Sequence, residues 1–305
     1  MTVSGATSPP STPIKVSARG AAPGLACCDL CGASETRFVL TSPNLDGPLV
    51  ECVACGFRFV GGRRENLAFG EGEAMQTAER IREANLVFED IPRDEERRLN
   101  ERNAAWRVDL IRRFQPKGRL LEVGCGRGDF LRVASDSFDV YGVEPNPQLA
   151  QDASRSATVH EGLLESIPWA DFDVVASFHV IEHVDSPSQF VAEMVRRLKP
   201  GGLIVIETPD IGSWPFRLLK ARWRQFIPEH YYFFDRQAMV RLMAGEGLSV
   251  RWIHRVGKHA SADFILNRLG RHLPFVPKTV GTFLGGRVFR LNPLDIMLAI
   301  ATKDR

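Results

Sequence analysis

The stretch Leu120–Leu131, with the sequence LLEVGCGRGDFL, decides how the rest of the chain is interpreted. It predicts a short apolar strand, a glycine turn and the start of a helix. Glycines at positions 124, 126 and 128 allow the backbone to bend sharply and a ligand to approach it closely. The helix that follows directs free N–H groups and the positive end of its dipole at that ligand. The stretch therefore predicts a site for a nucleotide or a nucleoside-like cofactor.

The glycine spacing excludes the fingerprint of dinucleotide-binding proteins. That fingerprint, G-x-G-x-x-G, needs a third glycine where this chain has Asp129, and Gly128 comes one residue too early. With Glu122 in front, the pattern is instead E-x-G-x-G-x-G. A second predicted strand, from Phe138 to Val143, leads into Glu144. A carboxylate at this strand end accepts hydrogen bonds from both hydroxyls of a ribose. The alternative for Glu144 is a solvated loop residue.

Five of the six cysteines lie in the first 55 residues. Four of them, Cys28, Cys31, Cys52 and Cys55, form the pattern C-x2-C-x20-C-x2-C with a glycine after each pair. Two such knuckles aim four thiolates at one point, which suits a structural Zn2+ with no open position for chemistry. A redox C-x-x-C is the alternative, and Cys27 could replace Cys28 as a ligand. We expect a small zinc ribbon here.

The 305 residues carry a net charge of +2, which hides an asymmetry. From Gly212 to Arg290 there are 14 basic and 4 acidic residues, so that this region carries +10 and the remainder −8. A basic region favours anionic partners such as phosphorylated substrates, nucleic acid or membrane surfaces. The chain has no apolar run long enough to span a bilayer and no signal-peptide layout at its N-terminus, which predicts a cytoplasmic protein.

Downstream of the glycine turn, strands and helices alternate, which predicts an α/β fold. The strand FDVVASF, Phe172 to Phe178, is nearly all apolar and is followed by the sequence HVIEHV. His179, Glu182 and His183 within five residues suggest a metal site, but no third distant ligand follows in a known pattern, so we do not predict one. The last strand, predicted from Asn292 to Ala301, is expected in an antiparallel pair at the edge of the sheet.

Together, the E-x-G-x-G-x-G turn, the HVIEHV segment and the sequence LKPGG at 198–202 resemble class I S-adenosylmethionine (SAM) methyltransferases. The N-terminal cysteine pattern and the sequence PEHYYFF at 228–234 are similar to zinc-bearing bacterial sugar C-methyltransferases, without the extra large C-terminal domain of that group. The resemblance implies a seven-stranded Rossmann-like sheet whose last strand is antiparallel. It also implies a SAM site formed by Glu122, Gly124, Cys125, Gly126, Glu144, Pro145, Leu163, Leu164 and His179. Leu163 and Leu164, the adenine contacts, are equally compatible with a core position.

The sequence after the fifth strand of such a sheet opens onto the substrate side of the cleft. His230 stands there and can take a proton near neutral pH, with Glu229 beside it. By resemblance, His230, Glu229 and Tyr232 are the candidate catalytic residues. The alternative is a packed aromatic turn in which Glu229 acts as a cap.

We therefore predict a SAM-dependent methyltransferase that acts on a small-molecule acceptor, such as a sugar, a secondary metabolite or a lipid-linked intermediate, with an anionic group. The alternatives are an RNA methyltransferase that grips RNA through the ribbon and the basic region, and a non-catalytic SAM-binding interaction protein. Nucleic acid is disfavoured because the ribbon itself is not basic; peripheral membrane contact and the oligomeric state stay open. The predicted division is a tail (1–24), the ribbon (25–62), a helical linker or cap (63–117) and the methyltransferase domain (118–305) with inserts at 210–234 and 257–291.

Overall fold

The computed structural model describes residues 27–62, 93–261 and 287–304. Three predicted segments lie outside the described residues: the tail (1–24), the first part of the helical linker (63–92) and the middle of the second insert (262–286). The strands are β1 (Thr36–Leu40), β2 (Leu49–Cys52), β3 (Arg58–Val60), β4 (Gly118–Val123), β5 (Phe138–Glu144), β6 (Thr158–Glu161), β7 (Phe172–Phe178), β8 (Leu198–Pro209), β9 (Tyr232–Phe233), β10 (Leu248–Arg255), β11 (Lys258–Ser261), β12 (Val288–Leu291) and β13 (Ile296–Lys303). The helices are α1 (Arg93–Arg112), α2 (Asp129–Ala134), α3 (Pro147–Ala153), α4 (Pro187–Arg197), α5 (Trp214–Leu219) and α6 (Arg236–Gly245).

Seven strands form the central sheet in the order β10-β13-β8-β7-β4-β5-β6. All of them run parallel except β13, which pairs antiparallel with both β8 and β10. This is the predicted α/β Rossmann-like fold with an antiparallel last strand. As predicted, this strand belongs to an antiparallel pair at the edge of the sheet: β10 is the outermost strand and β13 lies next to it. β10, which follows α6 in the chain, does not pair with β8. β13 lies between β8 and β10 and pairs with both.

The apolar patterns explain why these segments form a layered core. In β7 only Asp173 and Phe178 are not fully buried, as expected for a strand that is covered on both faces. Helices begin at the predicted signals: Asp235 caps α6 by accepting a hydrogen bond from the Ala238 N–H at 2.9 Å. None of the described helices is both long and apolar enough to cross a bilayer. The carboxyl ends of β4, β5, β7 and β8 consequently meet at one edge of a rigid sheet.

The cysteine-bearing N-terminal segment forms a second sheet in the order β1-β2-β3-β9. Its fourth strand, β9, comes from the aromatic segment after β8 and pairs antiparallel with β3, Phe59 opposite Tyr232. The ring of Phe57 stacks on Tyr232 at 5.9 Å, and both residues are buried. Asp29 in the first cysteine knuckle accepts hydrogen bonds from the Ser188 N–H and the Ser186 hydroxyl at the start of α4. The two sheets are therefore joined by backbone pairing and a shared core.

A candidate active site at the carboxyl ends of the strands

The glycine turn after β4 has the backbone that the sequence predicts. Gly124, Gly126 and Gly128 all have positive φ, at 73°, 52° and 79°. A Cβ added at Gly124 would lie 2.6 Å from the Cγ2 atom of Val180 in the loop after β7. Glycine is thus required at position 124 by the backbone conformation and by close packing. The turn and the loop after β7 together line the end of β4.

Glu144 ends β5 beside this turn. Its two carboxylate oxygens accept hydrogen bonds from the N–H groups of Gly126 (2.9 Å) and Asn146 (3.0 Å). Burial raises the pKa of Glu144, although the hydrogen bonds from Asn146 and Gly126 oppose the shift. Each oxygen of a carboxylate has two lone pairs, so that acceptor capacity remains for a ligand's hydroxyl groups. The carboxylate is thereby oriented toward the glycine turn.

Glu122 is the second acid of the turn and is buried in β4. Within the described residues, its Oε2 atom has no hydrogen-bond partner. Burial raises the pKa of Glu122 well above its ordinary value; Arg107 opposes this shift, and Asp129 and Glu144 add to it. A buried carboxyl with an unused oxygen is costly unless a ligand satisfies it. A ligand with an ammonium group fits this position.

Four other residues predicted at the cofactor take different places. Cys125 is buried beneath the turn, where its Sγ would lie 2.7 Å from a Cβ added at Gly142. Pro145 is exposed after Glu144. Leu163 is 55% exposed, whereas Leu164 is buried in the hydrophobic core. An exposed Leu163 at the rim is available for an adenine contact, and the burial of Leu164 agrees with its alternative core role.

His179 follows β7 with a positive φ of 58°, which is uncommon for a residue with a side chain. Its Nε2 atom lies 3.0 Å from Glu207 at the end of β8, and its Nδ1 atom lies 3.2 Å from Glu182. The Nζ atom of Lys258 approaches Nε2 to 2.7 Å. Burial lowers the pKa of Lys258 to about 8, although Glu207 opposes the shift. The left-handed backbone at His179 thus holds its imidazole between Glu182, Glu207 and Lys258.

Sequence reasoning assigned no role to Arg107, Glu207 or Lys258. Arg107 on α1 holds Glu207 through two hydrogen bonds of 2.9 and 2.6 Å and lies 4.3 Å from the ring centre of Phe178. Burial alone would raise the pKa of Glu207, but Arg107 outweighs it and holds this pKa well below its ordinary value. One signal was present in the sequence: Glu207 is a charged residue inside the apolar run LIVIETP.

The predicted catalytic residues Glu229 and His230 lie just before β9 and Tyr232 begins that strand; His230 is only 5% exposed. The Nδ1 atom of His230 donates a hydrogen bond to the Gln225 carbonyl at 2.7 Å. The carbonyl of Glu229 accepts one from His183 Nδ1 at 2.9 Å. The Tyr232 hydroxyl donates to the Asp185 carbonyl at 2.7 Å. His230 thus points its second nitrogen inward, and Glu229 and Tyr232 tie this segment to the loop after β7.

Burial sets the charge state of His230, whereas His179 sets that of Glu182 against the effect of burial. Burial and the neighbouring His183 lower the pKa of His230 to about 3, with Glu182 opposing the shift. Burial would raise the pKa of Glu182, but the hydrogen bond and charge of His179 outweigh it and hold this pKa at about 2. Near neutral pH, His230 is therefore a neutral imidazole and Glu182 is a carboxylate.

The four cysteines of the two knuckles converge as their spacing predicts. The Sγ atoms of Cys28 and Cys55 are 3.6 Å apart, as are those of Cys31 and Cys52. All four sulfur atoms lie within 4.8 Å of one another. A tetrahedral Zn2+ with Zn–S bonds of about 2.3 Å requires sulfur separations of about 3.8 Å. The arrangement therefore fits a four-thiolate zinc site.

Known proteins share this architecture. A family model described as a methyltransferase domain matches residues 94–251. An uncharacterized methyltransferase of Mycobacterium tuberculosis is 41% identical over 100 residues, which cover 30% of this chain and 39% of that protein. A probable S-adenosylmethionine-dependent methyltransferase of Mycolicibacterium smegmatis is 37% identical over 97 residues, with 30% and 38% covered. The chain thus spans well under half the length of these relatives.

The chain also resembles solved structures at low sequence identity. A chain from the complex of the Haloferax volcanii Trm112 methyltransferase activator has a TM-score of 0.50 and 15% identity, covering 68% of this chain and 92% of that chain. Magnesium protoporphyrin IX methyltransferase from Synechocystis, with SAH bound, has a TM-score of 0.48 and 13% identity, covering 75% and 95%. The first of these likenesses supports the fold alone.

Proposed function

Because the chain belongs to the methyltransferase-domain family, whose model matches residues 94–251, we propose that it is a SAM-dependent methyltransferase that acts on a small-molecule acceptor. The observation that carries the proposal is the position of Glu144, which is hydrogen-bonded to the backbone of the glycine turn. From there it binds the ribose hydroxyls, and the unused oxygen of Glu122 binds the ammonium group of the cofactor. His179, which follows β7, and the exposed Leu163 complete the proposed cofactor site.

The proposed mechanism relies on positioning. When bound, SAM supplies an electrophilic methyl group on its sulfonium. The glycine turn and the two acids hold this group at the end of β4, and the loop after β7 aligns the acceptor with it. Alignment of an attacking atom with a reacting carbon can supply a large share of a rate enhancement. His230 belongs to the group that handles the proton of the acceptor, and Glu229 and Tyr232 hold it in place.

We propose further that the acceptor carries an anionic group. Support comes from the excess of basic residues between Gly212 and Arg290 and from Lys258, which is half-buried beside His179. Two arginines of this region are already neutralised, Arg224 by Asp295 and Arg255 by Asp210. Lys258 lies 3.7 Å from Glu207, but that carboxylate is already paired with Arg107, so Lys258 is the cation that we expect to contact the acceptor. We also propose that the four cysteines hold a structural Zn2+.

The first experiment measures binding of S-adenosylhomocysteine (SAH) by calorimetry to the full chain and to Glu144→Ala. A charged hydrogen-bonding group contributes about 1.5–3 kcal/mol, so the variant should bind roughly 10- to 100-fold more weakly. The control is Glu161→Ala, since Glu161 is an exposed acid directly opposite Glu144 on β6. Equal affinity of all three proteins for SAH would contradict the cofactor placement.

A second assay follows methyl transfer from SAM to nucleotide-linked sugars and lipid phosphates. His230→Ala should keep the SAH affinity and lose turnover, because His230 lies outside the cofactor contacts. Binding of SAH without transfer to any acceptor would favour a non-catalytic SAM-binding protein.

A further inference from the structure

Three metal-ligating side chains converge beside the proposed acceptor site. Glu182 and His183 come from the loop after β7, and His230 comes from the segment before β9. One potential ligand atom from each residue lies within 4.8 Å of the other two. The Oε1 atom of Glu182 is 3.9 Å from His230 Nε2, and the two imidazole rings are 4.7 Å apart. His230 is the third, distant donor that the sequence pattern alone did not reveal.

The hydrogen bonds fix which nitrogen of each imidazole is available. His183 Nδ1 donates to the Glu229 carbonyl, and His230 Nδ1 donates to the Gln225 carbonyl. Since a carbonyl can only accept, both Nδ1 atoms carry the proton, and each neutral ring keeps its lone pair on Nε2. Within the described residues, neither Nε2 takes part in a hydrogen bond. Metal-ligating histidines are held in this way, with the far nitrogen donating to a carbonyl.

Hydrogen bonds also fix the orientation of the Glu182 carboxylate. Thr208 donates a hydrogen bond to Glu182 Oε2 at 2.9 Å, and His179 Nδ1 lies 3.2 Å from Oε1. The backbone N–H of Tyr231 donates to the Glu182 carbonyl at 2.9 Å, which locks the two ligand-bearing segments together. A separation of 3.9 Å between Oε1 and His230 Nε2 is too long for a hydrogen bond and is about half an ångström above the roughly 3.4 Å between nitrogen and oxygen ligands of a tetrahedral Zn2+, so a small inward shift of the side chains would complete the site.

We propose that Glu182, His183 and His230 bind a divalent transition-metal ion, with Zn2+ as the representative. Without a cation, the lone pair on His230 Nε2 lies 3.9 Å from an oxygen of a buried carboxylate, an arrangement in which like partial charges repel. Two imidazoles and one carboxylate suit Zn2+ and its first-row neighbours better than Mg2+ or Ca2+, which prefer oxygen ligands. The site differs in its donors from the four-cysteine site, which is closed.

Three protein ligands leave coordination positions open. Val180, which precedes Glu182 and His183 in the same loop, packs against Gly124, so that the loop bearing two of the proposed ligands contacts the glycine turn. If the proposed methyl transfer is correct, an oxygen atom of the acceptor would take an open position, where the ion would lower the pKa of its hydroxyl and the proton would pass to solvent water. His230 then contributes as a ligand rather than as the base. This consequence rests on the proposed function, whereas the ion site itself does not.

The test measures the zinc content of the full chain after loading with Zn2+ and removal of unbound metal. Two sites predict about two ions per chain, one in each site. His230→Ala and Glu182→Gln should each retain about one, in the cysteine site. His254→Ala is the matched control and should retain about two, because His254 is exposed on β10. One ion per chain in the unmodified protein would overturn the proposal.

Because His230 and Glu182 are buried, a loss of metal could reflect misfolding. A second measurement therefore adds Co2+ to chains whose cysteine site already holds Zn2+. The unmodified protein and His254→Ala should develop the visible absorption of Co2+ bound by nitrogen and oxygen, and His183→Gln should not. Circular dichroism of each variant reports folding independently. Absorption of equal strength in His183→Gln would also overturn the proposal.

Calorimetry separates this inference from the proposed function. The metal-site variants should bind SAH with unchanged affinity, because Glu122, Glu144 and the glycine turn are intact. A protein with two ions and no SAH binding would refute the methyltransferase proposal and leave the metal site standing. A protein that binds SAH but holds a single ion would refute the metal site and leave the methyltransferase proposal standing.

Discussion

At the scale of single residues, Gly124 carries two separable constraints. Its positive φ disfavours any side chain, and a Cβ would meet Val180 at 2.6 Å. Gly126 also has a positive φ, but a Cβ there would meet nothing within 4 Å. Substitutions at Gly124 and Gly126 therefore allow the free-energy cost of backbone strain to be measured apart from that of steric overlap.

We predict that Gly124→Ala destabilises the protein more than Gly126→Ala does. Both variants incur the cost of a left-handed backbone, about 1–2 kcal/mol, and Gly124→Ala adds the contact with Val180. Urea unfolding gives the free energies. The double variant Gly124→Ala/Val180→Ala should recover the steric part, seen as a non-additive cycle. Equal losses in the two single variants would mean that the loop after β7 simply moves away.

The sequence predicted residues whose partners are nearby in the chain or fixed by the fold type. Gly124 and Glu144 were found because a turn after β4 and an acid after β5 follow from the strand pattern itself. His230 as a partner of Glu182 was not found, since only tertiary packing brings the two segments together. Lys258 gave no signal, because one more lysine in a basic region carries no distinguishing pattern.

At the scale of secondary-structure elements, the link between α1 and the sheet is a buried ion pair. Arg107 and Glu207 have side chains that are 14% and 2% exposed. Removing Arg107 leaves the buried Glu207 carboxylate with His179 and Lys258 beside it, at 3.0 and 3.7 Å, so the loss should lie near the lower end of the about 3–5 kcal/mol that an uncompensated buried charge costs. The link therefore holds α1 over the carboxyl end of β8.

We predict that Arg107→Met destabilises the fold by about this amount at pH 7, whereas Arg102→Met, an exposed position on the same helix, has little effect. Arg107→Met/Glu207→Gln should recover part of the loss. Urea unfolding at pH 7 provides the measurement, and a small loss in Arg107→Met would show that water replaces the guanidinium.

The same pair predicts a pH dependence. The pKa of Glu207 is lowered in the folded protein, so its contribution is present above the ordinary value near 4.5 and is lost as the pH falls through the folded pKa. Unfolding between pH 7 and acid pH should therefore show a smaller stability loss in the double variant than in the unmodified chain.

Elements with regular apolar patterns were predicted to within a few residues, including the strands around the glycine turn. Two features of the fold were not predicted from the sequence. The two-residue strand β9 is too short to have a pattern, and its pairing with β3 depends on a partner far away in the chain. That β10 rather than β13 is the outermost strand of the edge pair depends on tertiary pairing, which strand periodicity does not encode.

At the scale of the whole molecule, the cysteine-bearing sheet and the seven-stranded sheet share one hydrophobic cluster. That cluster contains Cys28, Cys52 and Phe57 together with residues of β7 and β8. A ribbon with a separate core would unfold independently, but a shared core and the β3–β9 pairing couple the two parts.

We predict that Cys31→Ser lowers the thermal midpoint reported by tryptophan fluorescence. All five tryptophans lie after residue 62, so this signal follows the seven-stranded part of the chain. Cys31 is exposed, so its replacement removes a proposed zinc ligand without opening a core cavity. Cys27→Ser, which changes an exposed cysteine outside the proposed ligand set, should leave the midpoint unchanged. A midpoint that is insensitive to Cys31→Ser would show that the two parts unfold separately.

The pairing of β3 with β9 also has a consequence for biosynthesis. The ribosome releases Phe59 long before Tyr232, its partner, by roughly ten seconds or more at ordinary translation rates. During that interval the nascent ribbon has three strands, and the free side of β3 is an open edge that can pair with other chains. Early capture of zinc would hold the three strands in order until β9 emerges. Metal starvation during synthesis should therefore increase the aggregated fraction more than metal removal from the finished protein does.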